Sequence, residues 1–415
     1  MDSRRLGKEG GRTPSFVQPF LHALNRMQAN EVLRPAQYVD RAKALLLEKL
    51  GPLESEVATY FCKGVVGIVA DHTHYFDGFA LLLRLQQGMA VAIRKNSLPL
   101  SRIVLEGVVE IVEFDAHDVE QDGLSGLFAR ACESASISEQ GQFDICLVGA
   151  IPTGLGASFH AAVTVGVLGA LFSMKDDIEQ ESAQVRDRIR GDALAALDAW
   201  YGNRFSPAYV VGCLSEHDDP FLLIDTNTLE CIPVEVPTGT RPGWAIIEWS
   251  RDWTPAMRTF SARQSVSARA LADLKNNGFE SVTSLREVEH RDLERALEAV
   301  PRRSRSVLKH LVSENRNVQK MTVAIRKNDW QFLGGLMMIS QASRTSDWDT
   351  SSAFHELVTN KAESASLEGI FGIVQTGEGG CMLVAGQPFS LPAFLDELRK
   401  SVSVHTSEEI ETFII

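Results

Sequence analysis

A glycine-rich turn between an apolar run and a long apolar segment constrains the fold of this chain more than any other feature. Residues 145–151 are apolar and predict a buried strand, residues 152–156 read Pro-Thr-Gly-Leu-Gly, and the apolar residues that follow predict a helix. The first turn of a helix presents unpaired backbone N–H groups and partial positive charge, so this arrangement favours an anion. Phe159 and His160, however, stand where a phosphate-binding loop of this shape carries small hydroxyl residues.

The composition indicates a globular protein that does not bind nucleic acid. The chain has 415 residues, 44% of them hydrophobic, which is enough to bury a sizeable core. A formal net charge of -13 argues against general nucleic-acid binding, because that binding depends on neutralising phosphates. No apolar stretch approaches the roughly 20 residues of a membrane helix, and the N-terminus lacks the apolar core of a signal peptide. We therefore predict a cytoplasmic protein that does not contact a membrane.

Cysteine spacing gives no sign of a metal site or of a disulfide framework. Most cysteines lie among apolar neighbours, so we expect them to be buried free thiols. They are Cys62, Cys132, Cys146, Cys213, Cys231 and Cys381.

Predicted strands and helices are segregated along the chain. Residues 64–114 favour strands, whereas helices dominate residues 257–357. Segregation of this kind predicts an α+β fold with two lobes. The predicted units are an N-terminal extension at residues 1–35, disordered and then helical, an N-terminal lobe at residues 36–215 that holds the glycine turn, and a C-terminal α+β lobe at residues 216–415.

Four segments in a fixed order carry a family resemblance. Residues 71–78 read Asp-His-Thr-His-Tyr-Phe-Asp-Gly and resemble the signature Glu-His-Thr-Asp-Tyr-Asn-x-Gly, and residues 152–162 resemble the loop Pro-x-Gly-x-Gly-Leu-Ser-Ser-Ser-Ala-Ala. Residues 310–315 resemble the segment His-Val-Val-x-Glu-Asn, and residues 333–349 resemble Gly-x-Leu-Met-Asn-x-Ser-His-x-Ser-Leu-Arg-Asp. In these segments the chain resembles the galactokinases, which are GHMP small-molecule kinases.

The resemblance implies a two-lobed GHMP-kinase-like fold, a sugar or sugar-like polyol as ligand, and the use of ATP and Mg²⁺ to phosphorylate a hydroxyl group. The sugar-binding residues that it implies are Asp71, His72, His74, Tyr75, Asp77 and Gly78. The nucleotide- and phosphate-binding residues that it implies are Pro152, Gly154, Leu155, Gly156, Ala157, Ser158 and His160.

Several positions of the implied site depart from the family pattern. The catalytic arginine corresponds to Val65 and the catalytic aspartate to a position near Tyr209. The metal-binding serine of the phosphate loop corresponds to His160, and a sugar-contacting aspartate corresponds to His74. Ordinary galactokinase activity is therefore not expected. Asp71 and His74 are the predicted catalytic replacements.

Two interpretations of the histidines remain open. In one, packing and backbone hydrogen bonds satisfy them and they carry no chemistry. In the other, they provide general acid and base groups or a transition-metal site. Asp71 either contacts sugar hydroxyls or organises the turn that follows it, and Glu314, Asn315 and Asp347 are predicted to be helix-surface or capping residues. The histidines of the metal alternative are His72, His74 and His160.

Two classes of function follow from these observations. One is a divergent ATP-dependent kinase that acts on a sugar or polyol. The other is a pseudokinase that binds a small molecule or a partner protein and acts as a sensor or scaffold. The substituted catalytic positions weigh against galactokinase activity proper, whereas the retained glycines of the turn favour some remaining site for an anion or nucleotide.

Overall fold

Two β-sheets covered by helices make up the fold, which confirms the predicted α+β class. The computed structural model describes residues 33–52, 55–121, 123–136, 141–174, 182–202, 204–250, 254–377, 380–405 and 409–415. None of the helices in these ranges is long and apolar enough to cross a membrane.

The first sheet is built around two long antiparallel strands that carry the implied sugar loop between them. Its order is β4-β3-β5-β2-β6-β7, and β1 also pairs with β2. Strand β5 pairs antiparallel with β2 and parallel with β3, and it is buried along its whole length. The strands are β1 (Ala58–Val69), β2 (Phe79–Asn96), β3 (Ser101–Leu105), β4 (Val112–Phe114), β5 (Gln142–Gly149), β6 (Phe221–Asp225) and β7 (Cys231–Val234).

The second sheet is antiparallel and smaller. Its order is β11-β8-β10-β9, and it packs against helices from the last third of the chain. Its strands are β8 (Gly243–Glu248), β9 (Ile370–Thr376), β10 (Cys381–Gly386) and β11 (Glu411–Ile414). The C-terminal end of β8 reaches the glycine turn of the first half of the chain, which matters for the site described below.

The helices pack on the two sheets and on one another. They are α1 (Pro35–Leu50), α2 (Gly123–Ser134), α3 (Ala157–Ser173), α4 (Ala183–Tyr201), α5 (Pro207–Cys213), α6 (Thr254–Asn276), α7 (Leu293–Ala299), α8 (Arg302–Arg326), α9 (Trp330–Ser343), α10 (Ala353–Ser364) and α11 (Leu391–His405). Helix α3 follows the glycine turn and is buried on every side from Ala157 to Phe172. A helix that is apolar all round belongs in the interior, as its sequence predicts.

Most predicted elements are found close to their expected bounds. The apolar spacing of residues 38–50 predicts a helix, and these residues lie in α1, which begins with Pro35 and stops at Gly51, where φ is 76°. Residues 208–211 lie in helix α5, which Pro207 begins. The helix predicted within residues 1–35 lies outside the described residues. The lobe boundary at residue 215 stays a prediction, and β6 and β7, which follow it, belong to the first sheet.

Candidate functional site

The loop between β1 and β2 is folded into the protein interior. Residues Thr73–Phe76 form a short 3₁₀ helix that ends at Asp77, whose φ of 57° is left-handed. Asp71, His72, Thr73 and His74 are all buried. Buried polar side chains need partners inside the protein, so the chemistry of the loop is set by the groups that face it.

Asp71 has both carboxylate oxygens engaged by other side chains. The hydroxyl of Tyr209 on α5 donates to its Oδ1, and the guanidinium nitrogens of Arg344 donate to its Oδ2 over 3.3 Å. Arg344 is fully buried and begins the π-helical turn Arg344–Trp348 after α9. Tyr209, predicted to mark a lost catalytic group, thus contacts the residue predicted to replace it. Both oxygens of the carboxyl group are engaged by structural partners, an arrangement that does not favour a general base.

His74 is also held by the protein backbone. Its Nε2–H donates to the carbonyl oxygen of Arg204 over 2.9 Å, and its ring packs 4.2 Å from that of Tyr75. Burial lowers the pKa of His74 to about 3, with a small opposing effect from the Arg204 carbonyl. A neutral imidazole with so low a pKa is a weak proton acceptor, so this geometry does not favour the predicted catalytic role.

The remaining residues of the implied sugar set have structural partners as well. The carboxylate of Asp77 lies 3.2 Å from Arg204 and is about one third exposed. The backbone of Gly78 accepts from the Thr226 hydroxyl over 2.7 Å and donates to Thr73 over 3.0 Å. Tyr75 is half-buried and stacks on Trp348 at 6.5 Å. The sugar-binding assignment of these residues stays a prediction.

His72 faces a buried cluster on helix α8. Its Nε2 lies 2.8 Å from Nε2 of His310 and 3.8 Å from Oε2 of Glu314. Burial and the nearby Arg344 charge lower the pKa of both imidazoles well below the usual value, and burial raises the pKa of Glu314. The prediction that Glu314 and Asn315 lie on a helix surface is wrong, because α8 turns both toward the core and the loop.

The glycine turn has the backbone that its sequence predicts. Thr153–Leu155 form a 3₁₀ turn, Gly156 has a φ of 49°, and helix α3 begins at Ala157. Glycine tolerates that positive φ without strain. All the predicted phosphate-binding residues of the turn are buried.

A carboxylate from the second sheet lies on the glycine turn. Glu248, the last residue of β8, accepts a hydrogen bond from the backbone N–H of Gly154 and lies 3.4 Å from the Thr153 hydroxyl. Only 2% of Glu248 is exposed. This backbone N–H is the kind of donor that holds a phosphate oxygen in a loop of this shape. The anion that the turn favours is therefore supplied by the protein itself.

Gly377 and Gly380, which lie between β9 and β10, pack closely against the glycine turn. A Cβ at Gly380 would lie 2.7 Å from the carbonyl oxygen of Gly154, and one at Gly377 would lie 2.5 Å from Cα of Leu155. Backbone packed this closely leaves no space for a ligand oxygen at these two contacts. Glycine at 154, 377 and 380 is explained by packing within the chain.

Neither polar side chain that follows the turn faces an open site. The Ser158 hydroxyl donates to the backbone carbonyl of Val65, a buried residue of β1. Nδ1 of His160 lies 2.7 Å from the Tyr201 hydroxyl on α4, and its ring packs edge-on against Trp200 at 4.7 Å. Burial lowers the pKa of His160 to about 3. The predicted phosphate role of both residues is not supported by these contacts.

The structure corrects the predicted set of metal ligands. His74 and His160 each have partners of their own and do not converge with His72. Within the described ranges, the group of side chains whose ligand atoms do converge is His72, His310 and Glu314, all buried and all within 4.8 Å of one another. His310 and Glu314 lie in one of the four segments that carry the family resemblance, but nothing in the sequence indicates that they meet the loop after β1.

Because several histidines are buried, we predict that the protein loses stability steeply below neutral pH. An unfolded histidine has a pKa of about 6.5, whereas burial lowers the pKa of His74 and His160 to about 3 and that of His355 to about 4. Between these values the unfolded chain binds protons that the folded chain cannot. The free energy of unfolding should therefore fall as pH falls from 7 to 5, by about 2 kcal/mol for each such histidine.

Urea unfolding at pH 7, 6 and 5 measures this dependence. A His160→Gln variant should show a shallower fall than the unmodified protein, because one neutral buried imidazole is removed. An unfolding free energy that does not change between pH 7 and pH 5 would contradict the burial of these histidines in their neutral form.

Comparisons with known proteins agree with the architecture. The structure of Lactococcus lactis galactokinase complexed with galactose superposes with a TM-score of 0.74 at 18% identity, covering 90% of this chain and 96% of that one. Methanococcus jannaschii mevalonate kinase superposes with a TM-score of 0.56 at 11% identity, covering 88% of this chain and all of that one. The fold is therefore that of the GHMP kinases.

Relatives found by sequence comparison include several galactokinases. A galactokinase of Actinobacillus pleuropneumoniae is 26% identical over 344 residues, covering 79% of this chain and 85% of that protein. A galactokinase of Roseiflexus is 24% identical over 356 residues, covering 81% and 85%. No family model matches the chain. The chain is a galactokinase-like protein with the GHMP-kinase fold, as its four motif segments predict.

Proposed function

We propose that this protein is a galactokinase-like pseudokinase that acts by binding and does not transfer phosphate. The observation that carries this proposal is the Glu248 carboxylate on the Gly154 N–H. A phosphate brought to that position meets a like charge. Two unit charges about 4 Å apart repel by about 4 kcal/mol at an effective dielectric constant of about 20, so nucleotide binding in this conformation is disfavoured.

The residues around the implied sugar support the same proposal. Phosphoryl transfer needs a group that orients the acceptor hydroxyl and cations that stabilise the transferred phosphoryl group. Val65 is apolar at the position implied for the arginine, and Asp71 is paired with Arg344 and Tyr209. The acid that would replace the missing catalytic group is thus already neutralised by a buried cation.

A binding function is consistent with this arrangement. One charged side chain from the second half of the chain lies on each implied ligand position of the first half, Arg344 on Asp71 and Glu248 on Gly154. A polyhydroxylated small molecule or a partner protein that displaced either contact would change how the halves of the chain pack. A sensor or scaffold needs a response of this kind and no turnover.

The backbone geometry of the glycine turn supports a sugar kinase as a second candidate function. Its 3₁₀ turn, the positive φ of Gly156 and the galactokinase relatives together favour an ATP- and Mg²⁺-dependent transfer to a sugar hydroxyl. This candidate requires Glu248 to leave the turn when ATP enters. This candidate therefore predicts phosphoryl transfer by the unmodified protein at saturating concentrations of ATP and sugar.

A coupled assay for ADP release, with ATP, Mg²⁺ and a panel of hexoses and polyols, separates the two candidates. We expect no turnover above background and no rise in melting temperature with ATP and Mg²⁺, since a ligand that binds the native state raises that temperature. A rise with a sugar alone, without ADP release, would support a sugar-sensing pseudokinase.

An Asp71→Asn variant purified in the same way is the control for a contaminating kinase. ADP release that is equal in both preparations and independent of sugar identifies a contaminating ATPase, whereas equal release that depends on sugar would count against the proposal. Sugar-dependent ADP release that is strong in the unmodified protein and lost in Asp71→Asn would overturn the pseudokinase proposal.

A further inference from the structure

We propose that His72, His310 and Glu314 form a buried site for a transition-metal ion of the zinc class. Nε2 of His72 lies 2.8 Å from Nε2 of His310 and 3.8 Å from Oε2 of Glu314, and the ligand atoms of all three lie within 4.8 Å of one another. Two imidazoles and one carboxylate are a ligand set that zinc accepts. This inference does not depend on whether the protein transfers phosphate.

The spacing of the three atoms suits a tetrahedral ion. Ligand-to-zinc distances of about 2.0–2.2 Å place neighbouring ligand atoms roughly 3.3 Å apart. The two separations from His72, 2.8 Å and 3.8 Å, lie on either side of that value. The third separation, between His310 and Glu314, is at most 4.8 Å, so side-chain rotations that adjust these three separations would bring both nitrogens and the oxygen to bonding distance.

Two of the three ligands are held by a surrounding shell of hydrogen bonds. Nδ1 of His310 lies 2.8 Å from the Ser343 hydroxyl, which in turn donates to Asp347 over 3.3 Å. Glu314 accepts from Ser340 over 2.7 Å and from Asn317 over 3.2 Å. Partners of this kind fix the tautomer and orientation of metal ligands. In His310, a proton on Nδ1 leaves Nε2 free to point at an ion.

The local charges favour a cation at this place. Glu314 is fully buried, and its hydrogen-bond partners in the described part of the chain, Ser340 and Asn317, are both neutral. Arg344, whose charge lowers the pKa of both imidazoles and also acts on Glu314, is paired with Asp71, and that pairing offsets part of its charge. A buried carboxylate is costly, and a divalent ion bound to it would add to the partial compensation from Arg344.

An aromatic ring closes the cluster against water. The Trp348 indole stacks on both imidazoles, with centroids 4.7 Å from His72 and 4.8 Å from His310. Dry surroundings strengthen the attraction between an ion and its ligands. An ion bound here would join the loop after β1 to helix α8 and to the π-helical turn, and would act as a structural centre.

Metal content of the full-length protein tests the proposal. Protein produced with zinc supplementation and dialysed should hold about one zinc per chain by elemental analysis. Co²⁺ added to chelator-treated protein should give a visible absorption spectrum that differs from that of free aqueous Co²⁺. Glu314→Gln and His310→Gln should lose the bound zinc. His160→Gln, which removes another buried histidine, should retain it.

Ser343→Ala tests the site without removing a ligand. Loss of the hydroxyl that orients His310 should weaken zinc affinity by about tenfold or more, while circular dichroism shows an intact fold. The proposal is overturned if zinc-supplemented protein holds no stoichiometric metal and binds no Co²⁺. It is equally overturned if a folded Ser343→Ala variant binds zinc as tightly as the unmodified protein.

Discussion

Replacing Glu248 with alanine should make the stability of the protein depend on the concentration of inorganic phosphate. The substitution removes the acceptor of the Gly154 N–H in the turn that precedes α3 and leaves a buried donor unpaired. We expect the free energy of unfolding to fall by about 1–3 kcal/mol in a buffer without phosphate. Phosphate that binds the vacated position should then raise the melting temperature by mass action, while the unmodified protein responds little.

Thermal unfolding in rising phosphate, with chloride at matched ionic strength as reference, measures the effect. Glu235→Ala is the matched control, because Glu235 is exposed at a position away from the turn. Glu248→Gln keeps an acceptor and removes the charge, so its loss of stability should be smaller than that of Glu248→Ala. If phosphate stabilises the unmodified protein as much as Glu248→Ala, the carboxylate does not occupy the anion position.

Replacing Arg344 with methionine should destabilise the protein more than any other change considered above. Arg344 and Asp71 are both buried, and loss of the guanidinium leaves the carboxylate without a compensating charge. Breaking a buried ion pair by removing one partner costs about 3–5 kcal/mol. The midpoint of urea unfolding should fall accordingly, with little change in its slope.

The double variant Asp71→Asn with Arg344→Met separates charge from packing. It should recover a large part of the lost stability, because no buried charge then remains unpaired. Arg291→Met is the surface control, since its ion pair with Glu289 is exposed and should contribute about 1 kcal/mol or less. A double variant that is no more stable than Arg344→Met alone would contradict the charge argument.

The sequence predicts the local geometry of the site well, because that geometry depends on neighbouring residues. The buried strand, the glycine turn and helix α3 follow from an apolar run, two glycines and a second apolar run. The family resemblance implies that the loop after β1 faces a ligand, and the loop does carry a cluster of buried polar side chains.

The contacts that decide the chemistry of the site come from distant parts of the chain. Glu248 is 94 residues from the glycine that it contacts, and Arg344 is 273 residues from Asp71. No periodicity or spacing encodes such contacts. Glu314 is predicted to be a helix-surface or capping residue, but α8 packs it against His72 and Ser340. Tertiary packing therefore buries a residue that the sequence predicts on the surface of α8.

The close packing around the glycine turn changes how a familiar signature should be interpreted in proteins of this fold. Side-chain atoms at 154, 377 or 380 would collide with backbone or with Glu248, whether or not a nucleotide ever binds. Glycines at these positions are therefore required by the close packing of the protein interior. Because Glu248 contacts this turn, the residue at the end of β8 is an informative position to inspect beside the signature when ATP dependence is assigned.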